Sequence, residues 1–308
     1  MLTMLAASRK VPFSDGTAPP HTVLPADACD CHVHVYDARF PAVPDARLLP
    51  PDASPDDYRL LQRRLGTSRT VLVTPSTYGS DNRCMLAGLA ALGEVARGVA
   101  VLDETATEAE LQSLHARGVR GIRFNLSLGA QPPAESMRPL AERIAPLGWH
   151  IQLLAPLATL VSLAPMLRDL PVALVFDHLG RIAPADIGRH PAHALVLDLL
   201  RDGRAWVKLS GGYIVSATHR ADDAALDALA HSYLDVAPHR AVWGSDWPHA
   251  TASSGLHPVP DDAVQVDALA RWCGDKALLR RVLVDNPGAL YGFAPDGPDS
   301  LFKTKPET

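Results

Sequence analysis

Cysteine is scarce in this chain: Cys29, Cys31, Cys84 and Cys273 are the only four in 308 residues. That is too few for a disulfide scaffold, and Cys29-x-Cys31 has no second pair to complete a zinc-ribbon pattern. A reducing compartment is expected, and the chain is read as cytoplasmic. No apolar run reaches the roughly 18–20 residues that span a bilayer, and the opening MLTMLAASRK has no basic stretch ahead of its apolar residues. Blocks of like charge are also missing. With 29 Lys+Arg against 34 Asp+Glu the net charge is -5, which argues against nucleic acid or an anionic membrane as partner. Neither a Gly-x-Gly-x-x-Gly nor a Walker-type loop follows the first strand-like run, which weakens a dinucleotide-binding reading. The expected partner is a small molecule.

What is present is alternation. Residues 1–26 are rich in Pro, Ser, Thr and Ala without periodicity and are expected to form a flexible arm, and 296–308 a polar tail. Between them, residues 27–295 carry eight short β-rich runs: ACDCHVHVYD, RTVLVTPS, RGVAVLD, VRGIRFNL, WHIQLLAP, VALVFDHLG, AWVKLSG and AVWGSDWP. The intervening segments read as helices. SPDDYRLLQRRLG has Ser54 as N-cap, Pro55 in the first turn and Gly66 past the end. ATEAELQSLHARG repeats the design, with Thr107 as cap, Glu110 as its capping-box partner and Gly118 as the stop. Eight strand–helix alternations favour an α/β fold of the (β/α)8 TIM-barrel type, in one domain, over an open doubly wound sheet.

Active sites of such barrels lie at the C-terminal ends of the strands. Strand 1 ends in His32 and His34, whose spacing of two puts both side chains on one face. Strand 2 leads into Ser76 and Tyr78, and strand 4 ends in Arg123-Phe124-Asn125. On strand 5 alternation is read as aiming Gln152, and not His150, inward. Strand 6 ends in Asp177-His178, strand 7 in Lys208-Leu209-Ser210 leading to Tyr213, and strand 8 in Ser245-Asp246-Trp247-Pro248-His249. Each piece has a bland reading. A His-x-His pair is commonly a satisfied core or surface pair, Arg123 can serve a helix carboxylate, and Asp246 can be an N-cap. The joint pattern differs, because four independent accidents would all have to fall at the same end of four strands.

The stretches DCHVHVYD, VTPSTYGSDN, GVRGIRFN, FDHLGR, VKLSGGY, WGSDWPH and VDNPGALYGF, in this order, resemble the amidohydrolase superfamily. The similar branch is the one containing 2-pyrone-4,6-dicarboxylate lactonase and related sugar-lactone hydrolases and isomerases. The resemblance runs from about Asp27 to Phe293. It implies catalytic roles for His32, His34 and His178 and for Asp246 as general base. It also implies that Arg123 holds a substrate carboxylate while Ser76 and Asn125 line the pocket wall.

The superfamily's metal sites also use a ligand on a middle strand. Strand 5 offers Gln152 instead, and an amide oxygen is a poor zinc ligand. The expected cofactor is therefore none. The alternative is one divalent metal such as zinc, held by His32, His34, His178 and Asp246. The expected function is metal-independent hydrolysis of a carboxylated lactone. Asp246, its pKa raised by burial, would deprotonate water, and histidine N–H groups would polarise the carbonyl. Sensitivity to pH near neutrality follows as an expectation. One departure concerns the second arginine expected beyond strand 7, where Tyr213-Ile214 stand instead. Unless Arg83, Arg181 or Arg220 substitutes, an aldaric-acid lactone with one carboxylate suits Arg123, Tyr78, Ser76, Asn125 and Tyr213 as well as a dicarboxylate does. Isomerisation of such a lactone, a metal-dependent decarboxylase or hydrolase, and a non-catalytic acid-binding barrel are the rival readings. Oligomeric state is not legible.

Overall fold

The computed structural model describes residues 10–128 and 132–293. Residues 1–9 of the expected arm and the 296–308 tail lie outside the described residues. Eight parallel strands form one sheet in sequential order. They are β1 (Cys29–Val33), β2 (Arg69–Val73), β3 (Ala96–Ala100), β4 (Val119–Asn125), β5 (His150–Leu154), β6 (Leu174–Phe176), β7 (Ala205–Leu209) and β8 (Ala241–Trp243). The sheet curls into a nearly closed barrel. The ring is completed just past β8, where the Asp246 backbone N–H donates to the His32 carbonyl at 2.9 Å and the His34 N–H to the Trp247 carbonyl at 2.9 Å.

Helices pack outside the ring. The first, Pro55–Leu65, begins at a reciprocal capping box: Ser54 Oγ accepts from the Asp57 N–H, and Asp57 accepts from the Ser54 N–H. It buries Tyr58, Leu61 and Leu65, one face of a 3.6-residue period, and ends at Gly66. The helix Glu108–Ala116 is capped by Thr107, whose hydroxyl accepts from the Glu110 N–H. No described helix is long and apolar enough to cross a membrane.

Two apolar layers result. Outward-facing strand residues such as Leu72, Ile122, Phe124, Ile151 and Leu153 pack against helix residues such as Leu61, Leu111, Leu140 and Leu160. The barrel interior is filled by Cys29, Cys31, Val71, Val73, Val99, Val175 and Val242, with Tyr291 among them. Burial of each large side chain contributes roughly 1.5–3 kcal/mol.

Residues 10–26 are not the loose arm that their composition suggested. Trp247 Nε1 donates to the Pro12 carbonyl, and Phe13 packs edge-on against the Trp247 ring. Arg64 donates to Ser14, Asp15 and Ala18, and Asp267 accepts from the backbone N–H groups of His21 and Thr22. The segment is tied down by partners far away in sequence, which local composition does not reveal.

Candidate active site

The strand C-termini bring the expected groups together. His32 Nε2, His34 Nε2 and His178 Nε2 lie 3.6, 3.8 and 3.7 Å from Asp246 Oδ1. All four side chains are buried. The cavity above them is also lined by Tyr36, Ser76, Arg123, Asn125, Arg181 and Ile214. A larger, open basin lies at the opposite end of the barrel, among Arg69, Arg97, Arg117, Arg120 and Phe293. That is the face at which barrels of this type carry stability and not chemistry, so size does not locate the site.

Local backbone features aim each group. The pairing of β1 with β2 shifts register between Asp30 and Val33. Below the shift Cys29 and Cys31 fill the interior, and above it His32 and His34 do, so one strand presents two inward pairs of opposite parity. Asp30 turns outward instead and accepts from the Ser245 N–H and hydroxyl and from Tyr58 Oη, pinning β1 to the end of β8. Burial pushes the Asp30 carboxyl up to about 6, against the pull of the Ser245 donors. Gly244 is required where β8 crosses β1, because a Cβ there would lie 2.5 Å from His32 Cβ. His178 sits at φ +48 and Asp246 at φ +68, conformations that cost non-glycine residues energy and that the surrounding bonds must hold.

Below the cavity floor is a buried ionic network that the sequence reading missed. Asp177 Oδ2 accepts from Arg123 Nε at 3.1 Å and from Gln152 Nε2 at 3.0 Å. Lys208 Nζ donates to Gln152 Oε1 at 2.7 Å and stands 3.1 Å from His32 Nδ1. Asp177 Oδ1 is 3.3 Å from that same Nδ1 and 3.6 Å from Lys208 Nζ. The available signal was a lysine at an inward position of a wholly apolar, buried strand, since such a charge requires partners. Burial would raise the Asp177 carboxyl, but His32, Lys208 and Arg123 outweigh it and hold it well below the usual carboxylate range. Burial lowers the Lys208 ammonium, opposed by Asp177.

Several expected contacts are corrected. Gln152 belongs to this network and does not line the cavity. His150 is two residues from Gln152 and so shares its inward face. It lies lower in the barrel, against the Tyr291 ring, so its exclusion was a parity error. Tyr213 is fully buried and donates to Asp246 Oδ2 at 2.7 Å, so it positions the carboxylate while Ile214 lines the cavity. Tyr78 Oη is held by the Asp37 backbone, accepting from its N–H at 2.9 Å and donating to its carbonyl at 3.3 Å. Tyr36, which packs on Tyr78, takes the cavity position instead. Ser76 and Asn125 are where they were expected: Asn125 Nδ2 donates to Ser76 Oγ at 2.7 Å and both line the wall.

The electrostatics also differ from expectation. Burial alone would raise Asp246, but His178, His32, His34 and His249 outweigh it and hold the carboxyl at about 2. Burial, with Arg123, lowers His34 to about 4. Burial likewise lowers His178, and burial with Lys208 lowers His32 well below the ordinary imidazole value. All three imidazoles are thus pushed toward the neutral form, and their titration shifts in the acid direction.

His34 Nδ1 is 2.8 Å from the Val73 carbonyl, which can only accept, so neutral His34 carries its proton there and offers a lone pair at Nε2. His32 Nε2 is 3.2 Å from His34 Nε2. The atoms of His32, His34 and Asp246 that face one another lie close enough to hold one metal ion, as do those of His32, Asp177 and His178. Nitrogen and carboxylate donors of this kind suit a divalent ion such as zinc, with the Val73 carbonyl and Asp177 able to orient the two imidazoles from behind.

A parallel eight-stranded barrel with two histidines at the end of β1, one after β6 and an aspartate after β8 is the layout of a barrel hydrolase. The chain belongs to the amidohydrolase family, whose model matches residues 29–293. It is 35% identical to a 2-pyrone-4,6-dicarboxylate hydrolase of Comamonas testosteroni, over 88% of this chain and 92% of that one. It is 32% identical to a D-galactarolactone isomerase of Agrobacterium fabrum, over 91% and 96% of the two chains. An apo crystal structure from Agrobacterium tumefaciens superposes with a TM-score of 0.81 at 31% identity, covering 90% of this chain and all of that one.

Proposed function

We propose that this enzyme hydrolyses a carboxylated lactone, with Asp246 as general base and without a metal. The relatives support the lactone class, since one is a hydrolase and the other an isomerase of lactone substrates. Arg123 lines the cavity with its Nε braced on Asp177, which leaves the guanidinium oriented to fork a substrate carboxylate. A carboxylate held at about 2 is a weak base, but it is wholly ionised at neutral pH. Its Oδ1 therefore takes the proton of an attacking water placed between it and the lactone carbonyl. His178 can present Nε2–H to the developing oxyanion when its Nδ1 accepts from Ser210 Oγ, 3.1 Å away. The ring oxygen leaves with a proton returned from the site.

The observation that carries the metal-free reading is Lys208. A lysine ammonium can only donate, so at 3.1 Å from His32 Nδ1 it leaves His32 protonated at Nε2. An Nε2–H is a hydrogen-bond donor and not a metal ligand. The metal-dependent reading needs the other tautomer, with Nδ1–H directed to Asp177 Oδ1 at 3.3 Å. A bound divalent ion would then sit among His32, His34 and Asp246 and supply Lewis acidity.

The test is metal content by elemental analysis, with turnover of carboxylated lactones before and after chelator. Substoichiometric metal and unchanged turnover are expected. One required equivalent of metal overturns the metal-free mechanism, and Asp246→Asn retaining full activity on a lactone that the parent enzyme hydrolyses overturns the role of the base.

A further inference from the structure

We propose that the basin at the barrel end remote from Asp246, where Arg97, Arg117 and Arg120 converge, binds a doubly charged phosphoryl group, free or as the monoester of a small metabolite. The proposal does not depend on the chemistry assigned to the other end.

The strand order places the cations. Arg97 is the second residue of β3 and Arg120 the second of β4, so the parallel barrel sets both at its N-terminal end. Arg117 caps the helix Glu108–Ala116, just ahead of β4. All three line the basin. Carbonyl oxygens fasten them. Arg97 donates to the carbonyls of Glu94 and Ala96 at 2.9 Å and of Gly292 at 3.1 Å, and Arg120 to those of His115 at 3.0 Å and Val119 at 2.7 Å. The Arg97 guanidinium also lies over the Phe293 ring, 4.6 Å from its centre. Such partners fix the guanidinium groups in place and cancel none of their charge.

Counter-charge is what the basin lacks. Among the described residues none of the three arginines pairs with a carboxylate, whereas Arg69 beside them faces Asp27 at 3.9 Å. Glu94, the other acid in the wall, offers Arg97 its carbonyl. Arg97 Nε is buried and has no partner among the described residues. Burial pushes the Arg97 guanidinium below its ordinary value, and the charges of Arg120 and Arg69 press the same way, against Cys29 and Glu94. Gathered like charges repel, so a cluster kept only to stabilise the barrel would bring carboxylates with it. A bound anion supplies that charge instead.

Guanidinium groups fork phosphate oxygens, and cations from β3, β4 and the turn before β4 suit a tetrahedral group with three free oxygens better than a planar carboxylate with two. Leu86, Leu89 and the exposed Val95 flank the arginines and give the apolar body of an ester a surface to lie on.

The test is calorimetric binding of inorganic phosphate, phenyl phosphate and acetate at a fixed ionic strength of about 0.15 M, where long-range attraction is largely screened. Phosphate and phenyl phosphate are expected to bind one per chain, at least tenfold more tightly than acetate, and to raise the thermal midpoint. Tighter binding of phenyl phosphate than of phosphate assigns the site to monoesters, and the reverse assigns it to the free ion. Arg97→Gln should weaken phosphate binding about 10- to 100-fold, the range of one charge-assisted pair. Because Arg97 also braces Phe293, the exposed Arg117→Gln gives an independent variant, which should keep the parent thermal midpoint without phosphate and still lose about tenfold in affinity. No binding of either phosphate by the parent enzyme, or binding that both variants retain undiminished, would overturn the proposal.

Discussion

Tyr213 Oη donates to Asp246 Oδ2 at 2.7 Å, leaving Oδ1 as the oxygen that faces the three imidazoles. The hydroxyl stabilises the ionised carboxylate, so Tyr213→Phe should raise the Asp246 pKa. The acid limb of the kcat/KM profile then moves to higher pH, and kcat at pH 7 falls about 10- to 100-fold, the scale of one hydrogen bond to a charged group. A profile superimposable on that of the parent enzyme would refute this role.

Lys208 makes a different prediction. Lys208→Met removes the donor at His32 Nδ1 and leaves Asp177 with less compensation in a buried site, at a cost of about 3–5 kcal/mol visible as a lower denaturant midpoint. Freed of the ammonium, His32 can direct Nδ1–H to Asp177 and expose a lone pair at Nε2. The variant should therefore take up more zinc than the parent enzyme in equilibrium dialysis, while its kcat falls and its KM changes little.

Stability should fall on acidification in two stages. The folded pKa of His34 is lowered from 6.5 to about 4, so the unfolded chain binds the extra proton first and stability drops as pH falls from about 6.5 towards 4. Asp246, lowered from 3.8 to about 2, adds a further loss as pH falls through that lower window. Asp30 acts in the opposite sense. Its folded pKa of about 6 lies above 3.8, so its contribution is complete below about pH 4 and fades as pH rises through 6. Urea melts at intervals from pH 4 to 7 should show a net rise in midpoint with pH, and Asp30→Asn should make that rise steeper.

Gly211→Ala combines two penalties, a φ of +59° and a Cβ 2.6 Å from His178 Nδ1. The backbone term costs about 1–2 kcal/mol. Displacement of His178 should lower kcat at least tenfold, well beyond the loss that the fall in thermal midpoint accounts for.

The eight strands and the position of the site were legible because buried parallel strands read as short apolar runs and polar residues stood out at their ends. His32, His34, His178 and Asp246 could be found in this way, as could Ser76 and Asn125. Tyr78, Gln152 and Tyr213 were placed at the right strand ends but in the wrong shell, because spacing along a strand gives direction and not depth. Tyr213 reaches Asp246 only through the fold of the Gly212–Val215 turn. The sign of the Asp246 shift was also beyond reach. Burial of a carboxylate suggests a raised pKa, and only the convergence of imidazoles from two other strand ends, β1 and β6, on one oxygen reverses it.

The last link of the barrel is made by the backbone of the residues proposed to do the chemistry, Asp246 to His32 and His34 to Trp247. Neither half of the chain can assemble this centre on its own, since one half holds the β1 histidines and the other the aspartate. A chain split between the two halves is expected to show turnover only when both pieces anneal, which brings this edge together. Recovered turnover therefore reports the meeting of the chain's two ends.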